Sequence, residues 1–374
     1  MRIRRAEALL VRLPLRLTIR HALAARRESL NVVVRLEDEA GNAGWGEGVP
    51  RDYVTGESPE RSFELLAGSL LPSLVGAEIA GPEALLPAVV SLLSPAAGRQ
   101  SCCCAAELAL FDLAGNAFGR PAAEWFGGAR RDTVRYGVVL PLLEPPETAG
   151  FLEAVRRLGA PHLKIKAEGD RWPEALAAAR AALGDAITIA VDANGSWGLD
   201  EAAGHLRRME PFGVAWVEQP LPRGRESEIP DLARRSRIPL MADESLTTLA
   251  EARHLVRDGG FRLFNLRVSK LGGLAAAHAV ADVAAAAGLG VQVGCQVGES
   301  SILSAAGRIL AATLPSCAAV EGSYGTRLLE ADVTDEPFEF GERGAAPVQG
   351  GAGLGVAVSP ARLAPLVVRS AAVS

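Results

Sequence analysis

The chain has 374 residues, of which 49% are hydrophobic and only 5% aromatic, and its formal net charge is −5. This length is too great for one small core and predicts two domains, or one barrel with additions. Scattered arginines and few aromatic side chains argue against a nucleic-acid surface. No apolar run is long enough for a membrane span, and Arg12, Pro14 and Arg16 interrupt the early apolar stretch that a signal peptide would need.

The cysteines indicate the cellular compartment. None of the five forms a CxxC metal-binding pattern, and they are Cys102, Cys103, Cys104, Cys295 and Cys317. We therefore predict reduced, mostly buried thiols in a cytoplasmic protein without nucleic-acid or membrane partners.

The first part of the chain, residues 1–130, has the pattern of an α+β region. Residues 31–48, NVVVRLEDEAGNAGWGEG, alternate apolar and polar positions on both sides of a turn-rich centre, which predicts a hairpin. The Ala- and Leu-rich stretch at 104–119 predicts a helix.

From residue 134 onward, short apolar strands alternate with Ala-rich amphipathic helices. The eight predicted strands start about 24–29 residues apart, which is the length of one βα unit. They cover residues 134–141, 163–166, 187–194, 214–221, 240–245, 264–270, 291–296 and 319–324. Eight such units close naturally into a (β/α)8 barrel. An open doubly wound sheet is the alternative, but no GxGxxG or Walker A loop follows the first strand.

The residues after the eighth strand are too turn-rich to predict a full eighth outer helix. We expect this C-terminal segment to pack back on the first region.

Acidic residues recur at the carboxyl ends of three successive predicted strands, where barrel enzymes carry their catalytic groups. They are Asp192, Glu218 and Asp243, each separated from the next by one βα unit. Converging carboxylates need a counter-charge, and Mg²⁺ suits a site of few oxygen ligands. Because no histidine or cysteine accompanies them, Zn²⁺ is disfavoured. Taken singly, each carboxylate would have a simpler explanation as a helix cap.

Lysines flank this acidic row. Lys164 and Lys166 lie on the same side of one strand, and Lys270 follows Asp243 at the spacing of one further unit. A lysine beside a like charge in a partly desolvated site has a lowered pKa and is able to act as a base. Ordinary ion pairing for the first two, and solvation before a turn for Lys270, are the alternatives.

These segments resemble the enolase superfamily, and its muconate-lactonising subgroup in particular, over nearly the whole chain. LKIK at 163–166 is similar to the KxK motif, and VSKLGG at 268–273 to the sixth-strand lysine segment. Three segments resemble those that supply metal ligands: VDANGSW, WVEQPL and ADESL. GNAGWGEG and DYVTGE resemble the N-terminal cap of the family, and GAGLGV at 351–356 its C-terminal return.

The resemblance implies a modified TIM barrel, (β/α)7β, with an N-terminal α+β capping domain. We assign residues 1–130 to the cap, 131–325 to the barrel, and 326–374 to a segment returning to the cap. It also implies chemistry that begins by removing the proton alpha to a carboxylate, through an enediolate that a metal ion stabilises.

Roles follow from the resemblance, residue by residue. The implied ligands of Mg²⁺, with Mn²⁺ as an alternative ion, are Asp192, Glu218 and Asp243. Lys166 and Lys270 would form the acid/base pair, and Lys164 would contact the carboxylate and lower the pKa of Lys166. Asn194 and Glu244 would lie just behind the ligands.

Two facing lysines suit a racemase or epimerase of an amino-acid-derived acid, such as an N-acylamino acid or a dipeptide-like acid. The alternatives are a cycloisomerase of a muconate-like acid, a succinylbenzoate-synthase-like dehydratase and an inactive metal-binding scaffold. Dipeptide epimerases usually carry Asp-x-Asp after the eighth strand, whereas this chain has VEGSYG. Predicted contacts to a small carboxylate substrate are Glu299, Glu321, Tyr53 and Arg20, although Glu299 also suits a helix N-terminus. We expect a homo-oligomer.

Overall fold

The computed structural model describes residues 1–21, 24–141, 143–167 and 171–374, except for the side chains of residues 20, 21, 24 and 25. The described α-helices are α1 (Asp52–Thr55), α2 (Pro59–Leu65), α3 (Leu71–Leu74), α4 (Leu85–Leu93), α5 (Gln100–Phe118), α6 (Pro145–Leu158), α7 (Trp172–Leu183), α8 (Leu199–Met209), α9 (Ile229–Arg234), α10 (Leu249–Asp258), α11 (Val268–Leu271), α12 (Leu274–Ala286), α13 (Ser301–Thr313) and α14 (Pro360–Leu363).

A four-stranded antiparallel sheet and helices α1–α5 form the N-terminal region, called the cap below. The strands are β1 (Ile3–His21), β2 (Ala24–Asp38), β3 (Ala43–Gly48) and β14 (Val367–Val373). Their order in the sheet is β14-β1-β2-β3. Strands β2 and β3 form the predicted hairpin. The pairing of β14 with β1 supports the predicted return of residues 326–374, while the boundaries at residues 130 and 325 stay a prediction.

Alternate glycines let helix α5 lie directly on strand β3. Gly44, Gly46 and Gly48 share one face of the strand because side chains alternate along it. A Cβ atom at Gly46 would lie 2.0 Å from the Ala105 carbonyl oxygen, so a larger residue would separate helix and strand. Length and composition alone would suit α5 to a membrane span, but most of this helix is buried in the protein as a core element.

Eight parallel strands form the barrel, and their order in the sheet follows the chain. They are β5 (Val138–Leu140), β6 (His162–Lys166), β7 (Thr188–Asp192), β8 (Val217–Glu218), β9 (Leu240–Ala242), β10 (Phe261–Arg267), β11 (Gly290–Gly294) and β12 (Ala319–Val320). The Gly137 N–H donates to the Val320 carbonyl at 2.8 Å and joins the last strand to the first.

Each connection between successive barrel strands contains a helix, namely α6, α7, α8, α9, α10, α12 or α13. In the described chain after β12, no α-helix is longer than four residues. The predicted (β/α)7β barrel with an α+β cap is therefore confirmed.

Two predicted strands differ from the structure. The stretch 134–141 divides into β4 (Thr133–Arg135), which pairs with β13 (Ala345–Pro347), and β5. The break occurs because the Tyr136 N–H donates to the Gly344 carbonyl rather than to a barrel strand. The strand predicted at 264–270 ends at Arg267, where the helical turn α11 begins.

Two buried carboxylates of the cap meet the N-termini of barrel helices. Glu47 on β3 accepts hydrogen bonds from the N–H groups of Ser300 and Leu303, at 3.0 and 3.1 Å, at the start of α13. Glu107 on α5 accepts from the N–H groups that begin α12. Free N–H groups and the helix dipole favour negative charge at these positions. These contacts hold the cap over the end of the barrel where the strands terminate.

Candidate active site

Three carboxylates lie at the carboxyl ends of neighbouring strands, as the sequence predicts. Asp192 and Glu218 end β7 and β8 and are partners in the strand register, and Asp243 directly follows β9. All three side chains are fully buried. Asn265 and Gln292, on β10 and β11, donate to Glu218 at 2.8 and 3.3 Å and fix the direction of its carboxylate.

Lys164 joins the acidic row to the last strand of the barrel. Its Nζ lies 3.1 Å from Glu218 Oε2 and 2.5 Å from Glu321 Oε2. Burial opposes the charge, but Glu218 and Glu321 raise the pKa of Lys164 well above its ordinary value. Lys164 is therefore a fixed positive charge in this structure.

Lys166 is the more accessible of the two β6 lysines, with 17% of its side chain exposed. Its Nζ donates to Asp192 Oδ2 at 2.8 Å and to Asn194 Oδ1 at 2.5 Å. Burial lowers the pKa of Lys166, Asp192 raises it and Lys164 lowers it, and the result lies above the ordinary value of 10.5. Lys164 therefore acts in the predicted direction, but Asp192 outweighs it.

Lys270 lies behind the acidic row and away from the open side of the site. Its side chain is fully buried, and Nζ donates to Asp243 Oδ1 at 2.7 Å, to the Asp243 carbonyl at 2.8 Å and to the Asn265 carbonyl at 2.9 Å. The physical reason is the early end of β10, since the turn α11 carries Lys270 out of the strand.

Arg267 takes the open position that we predicted for Lys270. Its guanidinium bonds to Asp243 Oδ2 and lies 3.3 Å from Glu218 Oε1. The sequence prediction missed this residue because it placed the strand end at Lys270. Arg267 is the last residue of β10, and a correct strand end would have found it.

Asn194 and Glu244 lie beside the predicted ligands. Asn194, in the left-handed region at φ 45°, donates through Nδ2 to Glu244 Oε1 at 3.0 Å. Burial and the neighbouring Asp243 and Asp192 carboxylates raise the pKa of Glu244 to about 7. Its Oε2 is buried without a hydrogen-bond partner among the described residues.

The carboxylate oxygens of this site are already engaged by side-chain cations. Among the described residues, no group of three or more His, Cys, Asp and Glu side chains is placed to hold a metal ion. Ion pairs join four carboxylates, Asp192, Glu218, Asp243 and Glu321, to four cations, Lys164, Lys166, Arg267 and Lys270.

Mg²⁺ fits this set by donor type and by charge. The oxygen donors and the unpartnered Glu244 Oε2 suit a hard divalent cation. The four carboxylates and four cations balance. The two positive charges of the ion are offset by one substrate carboxylate and an ionised Glu244, so the net charge of the site stays zero. The ion would compete with Arg267 for the oxygens of Asp243 and Glu218.

A cavity of about 410 Å³ opens beside Lys166, and its walls are mostly apolar. Phe151 and Val155 of α6 form one side, and Leu17 of β1 lies at the cap side. The charged residues lining the cavity are Lys164, Lys166, Arg267, Glu299, Glu321 and Arg327. Lys270 is not among the described residues that line it.

Only two of the four predicted substrate contacts are described as lining the cavity. Glu299 and Glu321 both line the cavity. Glu299 accepts from the Gln296 N–H at 2.6 Å within its own loop, and burial raises its pKa to about 8. Tyr53 lies outside the described cavity lining, with the Arg26 guanidinium 5.4 Å from its ring centroid. The side chain of Arg20 lies outside the described residues.

Arg51 of the cap is almost fully buried between cap and barrel. Its guanidinium donates to Ser29 Oγ at 2.5 Å and to the Val297 carbonyl at 2.9 Å. Arg51 thereby fixes the barrel loop that carries Glu299. No sequence pattern distinguishes this arginine from the exposed ones.

A capped (β/α)7β barrel with carboxylates and lysines at its strand ends has the architecture of an enzyme whose active site lies at the mouth of the barrel. The family model described as "Enolase C-terminal domain-like" matches residues 147–362, and the chain belongs to this family. The resemblance to the enolase superfamily is thus confirmed, and the protein is an isomerase of that superfamily.

Similar proteins are racemases, epimerases and cycloisomerases. An N-succinylamino acid racemase of Thermus thermophilus is 31% identical, covering 95% of each chain. The structure of a dipeptide epimerase from Cytophaga hutchinsonii, in complex with Mg and D-Ala-L-Val, superposes with a TM-score of 0.91 at 26% identity over all of both chains. A muconate lactonizing enzyme from Pseudomonas fluorescens, in complex with muconolactone, gives a TM-score of 0.90 at 27% identity, covering 98% of this chain and 99% of that one.

Proposed function

We propose that this isomerase is Mg²⁺-dependent and moves the proton alpha to the carboxylate of a small acid, with Lys166 as the base. The observation that carries the proposal is the position of Lys166 Nζ. It lies at the edge of the cavity, 2.8 Å from Asp192, beside three strand-end carboxylates. An amine at this place lies next to a bound acid and next to the carboxylates that would hold the ion.

The residues of the chain divide the work. Asp192, Glu218 and Asp243 would hold the ion. When bound, the ion would offset the negative charge of these carboxylates, lower the pKa of Lys166 and stabilise an enediolate. Lys166 in its neutral form accepts the alpha proton, and the electron pair stays on the substrate. Lys164, fixed between Glu218 and Glu321, places a positive charge beside the developing negative charge.

Of the two lysines that line the cavity in the described chain, only Lys166 is appreciably exposed, since Lys164 is buried between Glu218 and Glu321, and this favours cycloisomerisation. The prediction of a racemase or epimerase depends on a second lysine across the site, and Lys270 is buried behind Asp243. Addition to a double bond followed by protonation at one face needs one lysine only. The similarity to the Thermus thermophilus racemase and to the dipeptide epimerase makes racemisation of an amino-acid-derived acid the second candidate.

Proton exchange in D2O tests the proposal. We would incubate the protein with Mg²⁺ and three acid classes, namely cis,cis-muconates with their lactones, N-succinylamino acids and dipeptides, and follow the alpha proton by NMR. We expect deuterium at the alpha carbon of at least one class, loss of exchange in EDTA, and recovery with Mg²⁺. A parallel titration with Mn²⁺ tests that ion as a substitute. Exchange that persists in EDTA, or no exchange with any class, would contradict the proposal.

We also infer a homo-oligomer in the cytoplasm, without nucleic-acid or membrane partners. The small content of aromatic residues and the absence of a basic run in the sequence support the second part. Native mass spectrometry of the purified protein measures the oligomeric state, and a monomer alone would contradict the first part.

A further inference from the structure

Two basic side chains reach the cavity from opposite sides of the barrel. Lys166 ends β6 and Arg267 ends β10, and three strands, β7, β8 and β9, lie between them in the sheet. Both remain partly open, with 17% and 12% of the side chain exposed. Lys164, which also lines the cavity, is committed to Glu218 and Glu321. A bound acid therefore meets a lysine on one side and an arginine on the other.

The two groups differ in the chemistry open to them. A neutral lysine amine carries a lone pair that accepts a proton, whereas a guanidinium has five N–H donors and no acceptor. The Arg267 side therefore offers positive charge without a base. Lys270 does not replace it, because its Nζ is fully buried and donates to three oxygens of Asp243 and Asn265.

We propose that Arg267 restricts proton transfer to one face of the substrate, so that the alpha proton leaves and returns only on the side of Lys166. This inference rests on the proposed function. In the forward step the C–H bond breaks, the proton goes to Lys166 Nζ and the electron pair remains in the enediolate. In the return step the Lys166 ammonium gives a proton to the same face of the same carbon. Inversion is therefore blocked, and Arg267 is a specificity-determining residue for the stereochemical outcome.

The closing experiment uses chiral probes in D2O with Mg²⁺. We would follow both enantiomers of N-succinylamino acids, both alpha epimers of L-Ala-Glu, and the two alpha hydrogens of muconolactone. The wild-type protein is expected to exchange one member of a pair at least 100-fold faster than the other, with retention of configuration. Exchange of both members within tenfold of each other would overturn the proposal.

The substitution Arg267→Lys supplies the missing base. We expect it to raise exchange of the slow member at least tenfold and to produce inverted product. Arg327→Lys is the matched control, because Arg327 also lines the cavity but lies after β12, and it should leave the slow member slow. If inversion arises with Arg327→Lys as well, or if Arg267→Lys folds with an unchanged melting temperature and gains nothing, the proposal is overturned.

Glu299 is a second group able to supply a proton, since its carboxyl lines the same cavity. If the wild-type protein exchanges both members of a pair but Glu299→Gln exchanges only one, the second base is Glu299. That result would overturn the proposed role of Arg267. A wild-type protein that exchanges no probe at all refutes the proposed function itself, and the inference falls with it.

Discussion

Buried carboxylates occupy two regions of this molecule and are neutralised differently in each. At the barrel mouth, side-chain cations neutralise Asp192, Glu218 and Asp243. At the contact between cap and barrel, backbone N–H groups of helix N-termini meet Glu47 and Glu107. A side-chain cation can be replaced by another cation, such as a metal ion, or can transfer a proton. A backbone N–H is fixed in its helix and can do neither. The first arrangement is suited to chemistry and the second to holding two parts together.

Asp243 at the mouth and the two acids of the interface also differ in protonation. Burial opposes ionisation of Asp243, but Arg267 and Lys270 hold its pKa below the ordinary value. Burial raises the pKa of Glu47 to about 7 and of Glu107 to about 8, despite the hydrogen bonds that they accept. Asp243 thus keeps its negative charge, whereas Glu47 and Glu107 at the interface are partly protonated near neutral pH.

The largest expected effect separates activity from stability at the mouth. Lys166→Ala should lower the rate of alpha-proton exchange by about 10³-fold, the usual contribution of a general base. The melting temperature should change little, because Asp192 keeps Lys164 at 3.7 Å as a partner. Deuterium incorporation and thermal unfolding measure the two quantities. A variant that retains a tenth of the wild-type rate would remove Lys166 from the mechanism.

The next effect is on stability at the interface. Glu47→Ala leaves the N–H groups of Ser300 and Leu303 and the Ser300 hydroxyl without their acceptor. We expect the free energy of unfolding in urea to fall by about 3 kcal/mol. Glu342→Ala, at an exposed carboxylate, serves as the control and should change it little. An equal loss in both variants would show that Glu47 contributes nothing special to the cap contact.

The sequence predicts much of the mouth and little of the interface. Asp192, Glu218, Asp243 and Lys166 lie at strand ends whose spacing repeats with each βα unit, so their convergence follows from the topology. Lys270 was misplaced because a strand end and a helical turn have the same local composition in NLRVSKLGG. The partners of Glu47 and Glu107 are distant backbone groups, which carry no signature in the sequence.

The pH dependence of stability is the third effect. The pKa of Glu107 is about 8 in the folded state and 4.5 ordinarily. Between pH 4.5 and pH 8, Glu107 is therefore protonated in the folded protein and ionised in the unfolded chain. Stability from this group is therefore complete below pH 4.5 and is lost as the pH rises toward 8. Glu107→Gln should remove a slope of about 1 kcal/mol per pH unit from urea unfolding between pH 5 and pH 8. Parallel curves for the variant and the wild-type protein would contradict this prediction.

The smallest effect compares two helix caps. Ser300 accepts from the Ile302 N–H at 3.2 Å and also donates to Glu47 at 2.6 Å, whereas Thr248 caps α10 at 3.1 Å without any contact to Glu47. Thr248→Ala should cost about 1 kcal/mol of unfolding free energy, and Ser300→Ala should cost more. Urea titration of both variants measures the difference. Equal costs would mean that the link from Ser300 to the cap adds nothing.

The position of β14 beside β1 has a consequence for how the protein is made. The cap sheet takes strands from residues 3–48 and from 367–373, with Ala6 opposite Val373. Every barrel strand lies between these two stretches. On the ribosome the sheet therefore remains one strand short until the whole barrel has been synthesised. The edge of β1 therefore stays unpaired through that interval, and an unpaired strand edge is the kind of surface on which nascent chains associate wrongly.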